Sequence, residues 1–323
     1  MIEVSDGIRV KGMKLWLDAR RRKQVSFISH AHADHIRSHG EIIASERTVR
    51  FLRHRGIRGT ITPLAFHQPM EVEGGRITLF PSGHILGAAQ IMIDTESGEK
   101  VVYTGDLRVV GGETAERVQI KKCDILIIEA TYGDPRYVFP DRDEVVAQFI
   151  SFVEGCFDRD LAPLLFAYPL GKAQEAMKIL FRRGYIPLVH HSIAEIAALY
   201  EDLGVDLGGY MTFCPGEKCL PGSVLIFPPG ARGEAAAVTK KRTAVLTGWA
   251  LDKDIKYRLG VDEAIPLSDH ADYTELVGYI LVSQPKKVYT THGSPKLASI
   301  LRSRGIEALH LEGAFVKGGG EHF

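Results

Sequence analysis

The sequence predicts an α/β protein built from two domains, one of which is inserted into the other. Short apolar runs bounded by turn residues fill the first third of the chain, and such runs are typical of strands. From Asp141 onward they give way to longer amphipathic stretches that favour helices, and strand-like runs return in the last third. Because the two flanks share one pattern, we expect both ends of the chain to belong to the outer domain.

Length and composition agree with this organisation. The chain has 323 residues, of which 45% are hydrophobic and 25% charged, and at roughly 150 residues per domain it is long enough for about two domains. This composition excludes the disordered and fibrous classes. Lysine and arginine together number 40 and balance 40 aspartates and glutamates, so a polyanion would be attracted by local basic clusters rather than by net charge.

The predicted elements follow one another along the chain. In the first third, strands are predicted over Val25–Ser29, Ile77–Pro81, Ile91–Asp94, Val101–Thr104 and Ile125–Glu129, with a helix over Thr48–His54. In the middle, the pattern predicts helices over Glu144–Phe157, Lys172–Arg183 and Ser192–Leu203 and strands over Leu164–Tyr168 and Pro187–His190. In the last third, strands over Thr243–Gly248, Ala264–Leu267 and Lys287–His292 precede a closing helix over Pro295–Arg304.

The sequence contains neither a candidate membrane span nor a signal-peptide pattern. No apolar run reaches the roughly 18 residues that a spanning helix needs, so we expect a cytoplasmic protein without membrane contacts. The four cysteines are too few for a disulfide framework. Cys214 and Cys219 are predicted to be loop thiols, because a structural zinc site needs four ligands and no second ligand pair stands near them.

The residues with the clearest chemistry lie in the segment His30–His35, which reads HAHADH and follows directly on a predicted strand. Alternation along an extended chain sends His30 and His32 to the same side, while Asp34 and His35 in the turn reach a second point nearby. One short segment can therefore begin two metal sites. Four ligand-type side chains within six residues rarely all have purely structural roles.

Further ligand-type residues follow other predicted strands. His84, Asp106 and His292 each stand beside a glycine at the end of an apolar run. Glycine lets the backbone approach a site closely, and the two carboxylate oxygens of Asp106 could bridge two cations. Each residue alone would more often be a turn residue, but their shared context with His30–His35 predicts one combined metal site.

These motifs resemble the metallo-β-lactamase fold hydrolases, and within them the nucleases that carry an inserted β-CASP domain. His30–His35 resembles the HxHxDH signature, and Asp18 matches the early aspartate of the family. Glu129, His270 and His292 resemble the three motifs of the nuclease branch, and the segment 166–175 resembles the start of the inserted domain. The resemblance implies an αββα sandwich formed by residues 1–135 and 263–323, with a reduced β-CASP α/β domain over residues 136–262.

The resemblance also implies a site with two divalent metal ions, zinc or manganese. By this resemblance the first ion would be held by His30, His32 and His84, the second by Asp34, His35 and His292, and both by Asp106. A water between two cations ionises near neutral pH and can attack a phosphodiester. The catalytic residues would then be Asp34 and Asp106 among the ligands, His270 as the group that contacts the phosphate or protonates the leaving oxygen, and Glu129 as its orienting partner.

Asp18 has two equally supported interpretations. By the resemblance, its carboxylate would accept the ring N–H of a metal ligand and so fix the tautomer of that ligand. Alternatively Asp18 is the N-cap of a helix that continues through the basic residues after it.

Local basic clusters suit a nucleic-acid substrate. Residues 1–60 contain thirteen lysines and arginines against six acidic residues, with clusters at residues 20–23 and 50–58, and a further cluster stands at residues 240–242. Arg20 and Arg21 are candidate phosphate contacts, although each basic run can also be an ordinary solvated face. By the resemblance, the inserted domain would fold over the metal site, and Tyr168, Lys172 and Trp249 would grip a single strand there.

Two features of the sequence favour different substrates. The segment Lys11–Arg22 resembles compact prokaryotic exonucleases associated with DNA ligases, which favours hydrolysis of single-stranded DNA in repair, in a pathway shared with a DNA ligase or helicase. The family as a whole favours the 5′ to 3′ direction. His292 instead resembles the histidine of the RNA-processing members, so a ribonuclease of RNA 3′-end processing or decay is the alternative. An inactive scaffold is a third hypothesis, but such partners lose ligands and all seven expected positions are filled here.

Overall fold

The predicted fold class is confirmed. The computed structural model describes residues 2–214 and 222–311, and in these ranges it has three sheets together with helices that alternate with their strands along the chain. The described chain forms two units, one of residues 2–138 with 270–311 and one of residues 139–269. Both flanks of the sequence therefore contribute to the first unit, as the sequence pattern predicts.

The first 138 residues contain most of the strands of the first unit. In chain order they are β1 (Ile2–Val4), β2 (Ile8–Val10), β3 (Leu15–Leu17), β4 (Val25–Phe27), β5 (Glu41–Ser45), helix α1 (Glu46–His54), β6 (Thr60–Leu64), β7 (Pro69–Val72), β8 (Gly75–Pro81), β9 (Ala89–Thr95), β10 (Lys100–Tyr103) and β11 (Ile125–Glu129). Helix α1 begins where the Ser45 hydroxyl accepts the N–H of Thr48, and it buries Val49 and Leu52 at helical spacing.

The second unit alternates helices with strands. In chain order it contains α2 (Arg142–Phe157), β12 (Ala162–Phe166), α3 (Lys172–Arg182), β13 (Pro187–Val189), α4 (His191–Asp202), β14 (Met211–Thr212), β15 (Val224–Phe227), α5 (Arg232–Ala235), β16 (Lys241–Leu246), α6 (Ile255–Leu259) and β17 (Glu263–Ile265). Its sheet has the order β14-β13-β15-β12-β16-β17 and is parallel throughout the described pairs. Strands alternating with helices lead to such a sheet.

The last described residues complete the first unit with α7 (Tyr273–Ser283), β18 (Lys287–Thr291), α8 (Lys296–Ser303) and β19 (Glu307–His310). Helix α7 begins with a capping box, in which Asp272 accepts the N–H of Glu275 and Glu275 accepts the N–H of Asp272. Sequence periodicity did not reveal α7, because it is apolar over most of its surface rather than along one stripe.

Two sheets of the first unit pack face to face. Over the described residues the first sheet has the order β1 to β6 and the second the order β19-β18-β11-β10-β9-β8-β7. Leu17 and Phe27 from the first sheet meet Leu79 and Tyr103 from the second in one buried cluster. On the opposite face of the second sheet, residues of β10, β11 and β18 pack against α7 and α8. These layers form the αββα sandwich.

The strand directions bring the predicted site residues to one edge of the second sheet. Strand β10 is parallel to β11 and β11 to β18, whereas β9 is antiparallel to both β8 and β10. Strands β8, β10, β11 and β18 therefore share one direction, and their carboxyl ends lie at the same edge. The residues that follow or end these strands are His84, Asp106, Glu129 and His292.

The boundary between the units differs from the sequence-based one on its carboxyl side. The resemblance implied that residues 263–269 belong to the outer domain, but β17 pairs with β16 in the sheet of the second unit. The second unit thus ends at Asp269, and on the amino side it begins at Phe139 rather than at residue 136. In the described part of the chain, no helix is long and apolar enough to cross a membrane.

Two glycines with similar backbone angles allow a test of how closely the site loops approach each other. Gly83 has a φ of +83°, and a Cβ added there would lie 2.2 Å from the carbonyl oxygen of Arg108, whereas Gly98 has a φ of +85° with no heavy atom within 4 Å of such a Cβ. Gly98→Ala should lower the free energy of unfolding by about 1–2 kcal/mol through backbone strain alone. Gly83→Ala should cost about 1–3 kcal/mol more, because the Arg108 backbone must move.

Urea unfolding of both variants in the presence of a chelator measures this difference. Equal losses of stability in Gly83→Ala and Gly98→Ala would show that the loop after β8 can move away from the Arg108 carbonyl. Such a result would contradict a rigid close contact between these loops.

Candidate metal centre

The loop after β4 brings three histidines into the interior of the first unit. His30 and His35 are buried and His32 is half-buried. The Nδ1 atom of His30 lies 3.0 Å from the Ser29 hydroxyl, and its other ring nitrogen, Nε2, lies 3.5 Å from a carboxylate oxygen of Asp106. The hydrogen bond to Ser29 thus orients the ring so that Nε2 faces the next strand-end loop.

Asp106 lies at the centre of the predicted ligands. Its Oδ2 atom is 3.5 Å from Nε2 of both His30 and His35 and 3.8 Å from Nε2 of His84. Its Oδ1 atom is 4.0 Å from Nδ1 of His292. These separations are too long for good hydrogen bonds, but they leave room for cations between the carboxylate and the imidazoles.

The side chains divide into two groups that share Asp106. In the first group, one atom from each of His30, His32, His84 and Asp106 lies within 4.8 Å of every other. In the second group, the same holds for His35, Asp106 and His292. Asp34, predicted as a further ligand of the second ion, lies beside that group with its Oδ2 atom 3.7 Å from Nε2 of His35.

The chemistry of these atoms fits divalent cations. Among the described residues, Nε2 of His30 and Oδ1 of Asp106 are buried and have no hydrogen-bond partner. Ring nitrogens of His32 and His84 face each other at 3.1 Å. Buried polar atoms without partners cost free energy, and imidazole nitrogens with a carboxylate are ligands that zinc prefers. The residues present therefore fit a metal centre.

The carboxylate of Asp18 orients the candidate ligand His35 through the ring nitrogen that does not face Asp106. Its Oδ2 atom accepts hydrogen bonds from Nδ1 of His35 at 2.8 Å, the Ser29 hydroxyl at 2.6 Å and the Tyr103 hydroxyl at 2.7 Å. Its Oδ1 atom accepts the backbone N–H of Ser29 at 2.8 Å. With the proton of His35 on Nδ1, Nε2 keeps its lone pair for a metal.

The alternative role of Asp18 as an N-cap is wrong. Within the described chain no helix begins after Asp18, and its own backbone has a φ of +43°. The positive φ is uncommon for aspartate and turns the side chain inward at a cost in strain. Ser29 and Tyr103 were not anticipated from the sequence, although each stands one or three residues from a predicted ligand.

The histidines and Asp106 strongly perturb each other's ionisation. Burial lowers the pKa of His35, but the carboxylates of Asp106 and Asp18 outweigh it and hold that pKa well above its usual range. Burial raises the pKa of Asp106, but the imidazoles of His35 and His30 outweigh it and hold that pKa well below its usual range. Burial, together with the neighbouring imidazole of His35, lowers the pKa of His30 well below its usual range. The arrangement thus favours an ionised Asp106 and a neutral His30.

His270 and Glu129 form a second buried pair beside this centre. Nδ1 of His270 lies 2.9 Å from Oε1 and 3.1 Å from Oε2 of Glu129. Oε1 of Glu129 also accepts the backbone N–H of Leu107 at 2.7 Å, which ties this carboxylate to the loop that carries Asp106. Nε2 of His270 lies 4.0 Å from Oδ2 of Asp106. Glu129 therefore orients His270 with its other ring nitrogen, Nε2, toward the centre.

The candidate nucleic-acid residues differ in their exposure. Arg21 is exposed with Nε 3.4 Å from an oxygen of Asp6, and Arg20 is half-buried. Lys172 is only 1% exposed, and this burial disfavours direct contact between its side chain and a strand. Trp249 is half-buried and packs against the apolar core of the second unit.

The three cysteines in the described part of the chain are free thiols. Cys123 and Cys156 are buried thiols and Cys214 is an exposed one. Burial raises the pKa of Cys123 to about 12, which keeps it protonated. Cys219, the predicted loop neighbour of Cys214, lies outside the described residues.

A third cluster of ligand-type side chains lies in the second unit. It consists of His190, His191 and Glu234. Nδ1 of His190 accepts the backbone N–H of Ser192 and so caps helix α4, while Nε2 lies 3.3 Å from Glu234. Both ring nitrogens of His190 therefore have structural partners, and we interpret this cluster as a helix cap.

Comparison with known families agrees with the geometry of the first unit. Residues 13–155 match a family model described as a beta-lactamase superfamily domain. Residues 254–314 match one described as a Zn-dependent metallo-hydrolase RNA specificity domain. His30–His35, His84, Asp106 and Glu129 fall in the first match, and His270 and His292 fall in the second.

Curated relatives include proteins named for DNA and for RNA metabolism. The chain is 35% identical over 314 residues to a probable DNA ligase of Opitutus terrae, covering 95% of this chain and 30% of that protein. It is 25% identical over 304 residues to the DNA cross-link repair protein SNM1 of Arabidopsis thaliana, covering 82% and 60%. It is 36% identical over 138 residues to the cleavage and polyadenylation specificity factor subunit 3 of Dictyostelium discoideum, covering 41% and 17%.

The fold, the strand-end ligands and these matches define a class of protein. The chain belongs to the metallo-β-lactamase nuclease family with a β-CASP domain, as the sequence motifs predicted. It spans about a third of the length of the ligase relative.

The support that Asp18 gives to His35 can be tested without removing a predicted ligand. Asp18→Asn keeps the size of the side chain but replaces one acceptor oxygen by an NH₂ group among three donors, so the His35 ring loses its orientation. We expect zinc affinity to fall by about 10–100-fold, as measured by competition with a chromophoric chelator. Tyr103→Phe, which removes one of the hydrogen bonds to Asp18, should have a smaller effect. Wild-type zinc affinity in Asp18→Asn would contradict this role.

Proposed function

We propose that this protein is a nuclease that uses two divalent metal ions to hydrolyse single-stranded DNA from its 5′ end. The observation that carries the proposal is the pair of ligand groups that share Asp106, with His270 directed at the same point. His30, His32 and His84 would hold one ion, His35, Asp34 and His292 the other, and Asp106 both. When bound, two such cations supply a water that ionises near neutral pH and neutralise negative charge on the phosphoryl group.

The remaining residues would hold and move protons around the phosphate. Glu129 accepts the Nδ1 proton of His270, which leaves Nε2 directed toward Asp106. When Nε2 carries a proton, His270 can donate it to the oxygen that leaves the phosphate. The buried Glu129 carboxylate stabilises the positively charged imidazole before this transfer, as the carboxylate of a catalytic triad does.

Exposed basic side chains of the first unit favour a polyanionic substrate. Arg21, Arg53 and Arg58 are exposed. Contacts between such side chains and phosphates do not depend on sequence, and they supply much of the affinity for a nucleic-acid strand. This distribution suits an exonuclease, which must bind strands of any sequence.

The preference for DNA is supported by the relatives that cover most of this chain. The match to the probable DNA ligase extends over 95% of the chain, and the match to the cross-link repair protein over 82%. The first of these also supports a pathway shared with a DNA ligase. A helicase partner and the 5′ to 3′ direction rest on the family resemblance.

RNA is the second candidate substrate, and two observations favour it. The family model over residues 254–314 is named for RNA specificity, and it includes His292 and His270. The chain also resembles a cleavage and polyadenylation factor over 41% of its length. Because DNA and RNA present the same phosphodiester, both candidates use the same metal centre and the same His270.

A time course with matched single strands separates these candidates. End-labelled DNA and RNA of one sequence, each with a 5′ phosphate or hydroxyl, are incubated with zinc or manganese. We expect mononucleotides from DNA, and activity on RNA alone would establish the second candidate. Asp106→Ala should reduce hydrolysis on the order of 10³-fold, since it removes the shared ligand. The control is Asp124→Ala, because Asp124 directly precedes β11 at the end opposite to Glu129, and this variant should keep activity. Equal turnover in the Asp106→Ala and Asp124→Ala variants would contradict the metal mechanism.

The proton-donor role of His270 predicts a separation of binding and chemistry. His270→Ala should lower kcat by about 10²–10⁴-fold, because a positioned acid contributes only in the transition state. KM for the DNA strand and the zinc content should change little. A rise of KM with unchanged kcat in this variant would show that His270 only binds the substrate.

A further inference from the structure

Lys172 is a buried cation in a position where a cation is unfavourable. It is the first residue of α3, directly after Gly171, and only 1% of its surface is exposed. The amino end of a helix carries partial positive charge, which repels an ammonium group. Burial adds a desolvation cost unless the charge is paired. A leucine or methionine would pack at such a position without either cost, so the ammonium group itself calls for an explanation.

Lys172 forms an ion pair with Asp269 within the second unit. Nζ of Lys172 lies 3.3 Å from Oδ1 of Asp269, and this carboxylate is also buried at 5% exposure. The ammonium group lies 5.4 Å from the centre of the Tyr168 ring, which adds a weak attraction of its own. Because both charges are shielded from water, the attraction between them is stronger than in a surface ion pair.

Asp269 is the residue immediately before His270. The segment 266–272 has no regular secondary structure, so its course depends on specific anchors. After His270, the backbone N–H of Ala271 donates to the carbonyl of Leu107 at 2.6 Å, and Asp272 caps helix α7. Before His270, the ion pair with Lys172 holds Asp269. The ion pair and these two contacts thus fix the peptide on both sides of the catalytic histidine.

We propose that Lys172 is a positioning residue for His270. Its ion pair fixes the side chain and backbone of Asp269, and through the peptide bond it keeps the His270 ring between Glu129 and the metal centre. The proposal rests on the proposed function, since it requires His270 to act in the reaction. This role differs from direct contact between Lys172 and a nucleic-acid strand, which the burial of Lys172 disfavours.

A double-mutant cycle tests whether Lys172 acts through His270. In the wild-type background, Lys172→Met should lower kcat by roughly tenfold or more while KM and zinc content stay unchanged. In the His270→Ala background the same substitution should change kcat by less than about twofold, because nothing remains to be positioned. Lys172→Arg should recover part of the lost kcat, since Arg keeps the charge.

Two further variants control for folding and for charge. Lys172→Met removes one counter-charge from the buried Asp269. Lys172→Met combined with Asp269→Asn removes both charges of the pair, so it tests the pair without this charge imbalance, and it should show the same low kcat. Lys178→Met removes a lysine of the same helix whose partner is Asp206, and it should leave kcat unchanged.

The outcomes separate this inference from the proposed function. An equal loss of kcat from Lys172→Met in the wild-type and His270→Ala backgrounds would overturn positioning through His270, and so would wild-type kcat in the doubly neutral variant. A rise in KM with unchanged kcat would assign Lys172 to strand binding and would also overturn it. If His270→Ala itself kept wild-type kcat, this result would contradict the role of His270 in the proposed function, independently of Lys172.

Discussion

The structure of the first unit depends on one buried carboxylate, that of Asp106. An ionised carboxylate loses its hydration on burial, and this cost is several kcal/mol unless opposite charges or hydrogen-bond donors replace the water. Imidazoles from three other strand-end loops supply part of this compensation at 3.5–4.0 Å. Because these imidazoles must surround the Asp106 carboxylate, the loops approach each other closely. The inward turn of Asp18 and the Glu129–His270 pair serve the same arrangement.

The sequence predicted which candidate ligands lie close together better than it predicted the fold around them. His30, His32 and His35 could be recognised because ligand types at that spacing have few structural uses, and strand direction then brings His84, Asp106 and His292 to them. Strands β1 to β3 and β5 to β7 were missed because they are short and mix polar with apolar residues. Residue type alone cannot reveal burial, and for this reason Lys172 and Trp249 were expected at the surface.

Substrate choice is a separate question from catalysis in this fold. The reacting phosphodiester is the same in DNA and RNA, so the metal ligands, Glu129 and His270 cannot distinguish them. Discrimination must come from contacts to the sugar, where RNA carries an additional hydroxyl group. The match of nearly the whole chain to part of a probable DNA ligase supports DNA, while the family model over residues 254–314 supports RNA.

The central claim is that Asp106 joins two metal ions, and anomalous X-ray diffraction at the zinc edge tests it most directly. Crystals grown with zinc should show two anomalous peaks per chain, about 3.5–4 Å apart, one on each side of the Asp106 carboxylate. His30, His32 and His84 should surround one peak, and His35 and His292 the other. A single peak in this region, or peaks away from Asp106, would contradict the account.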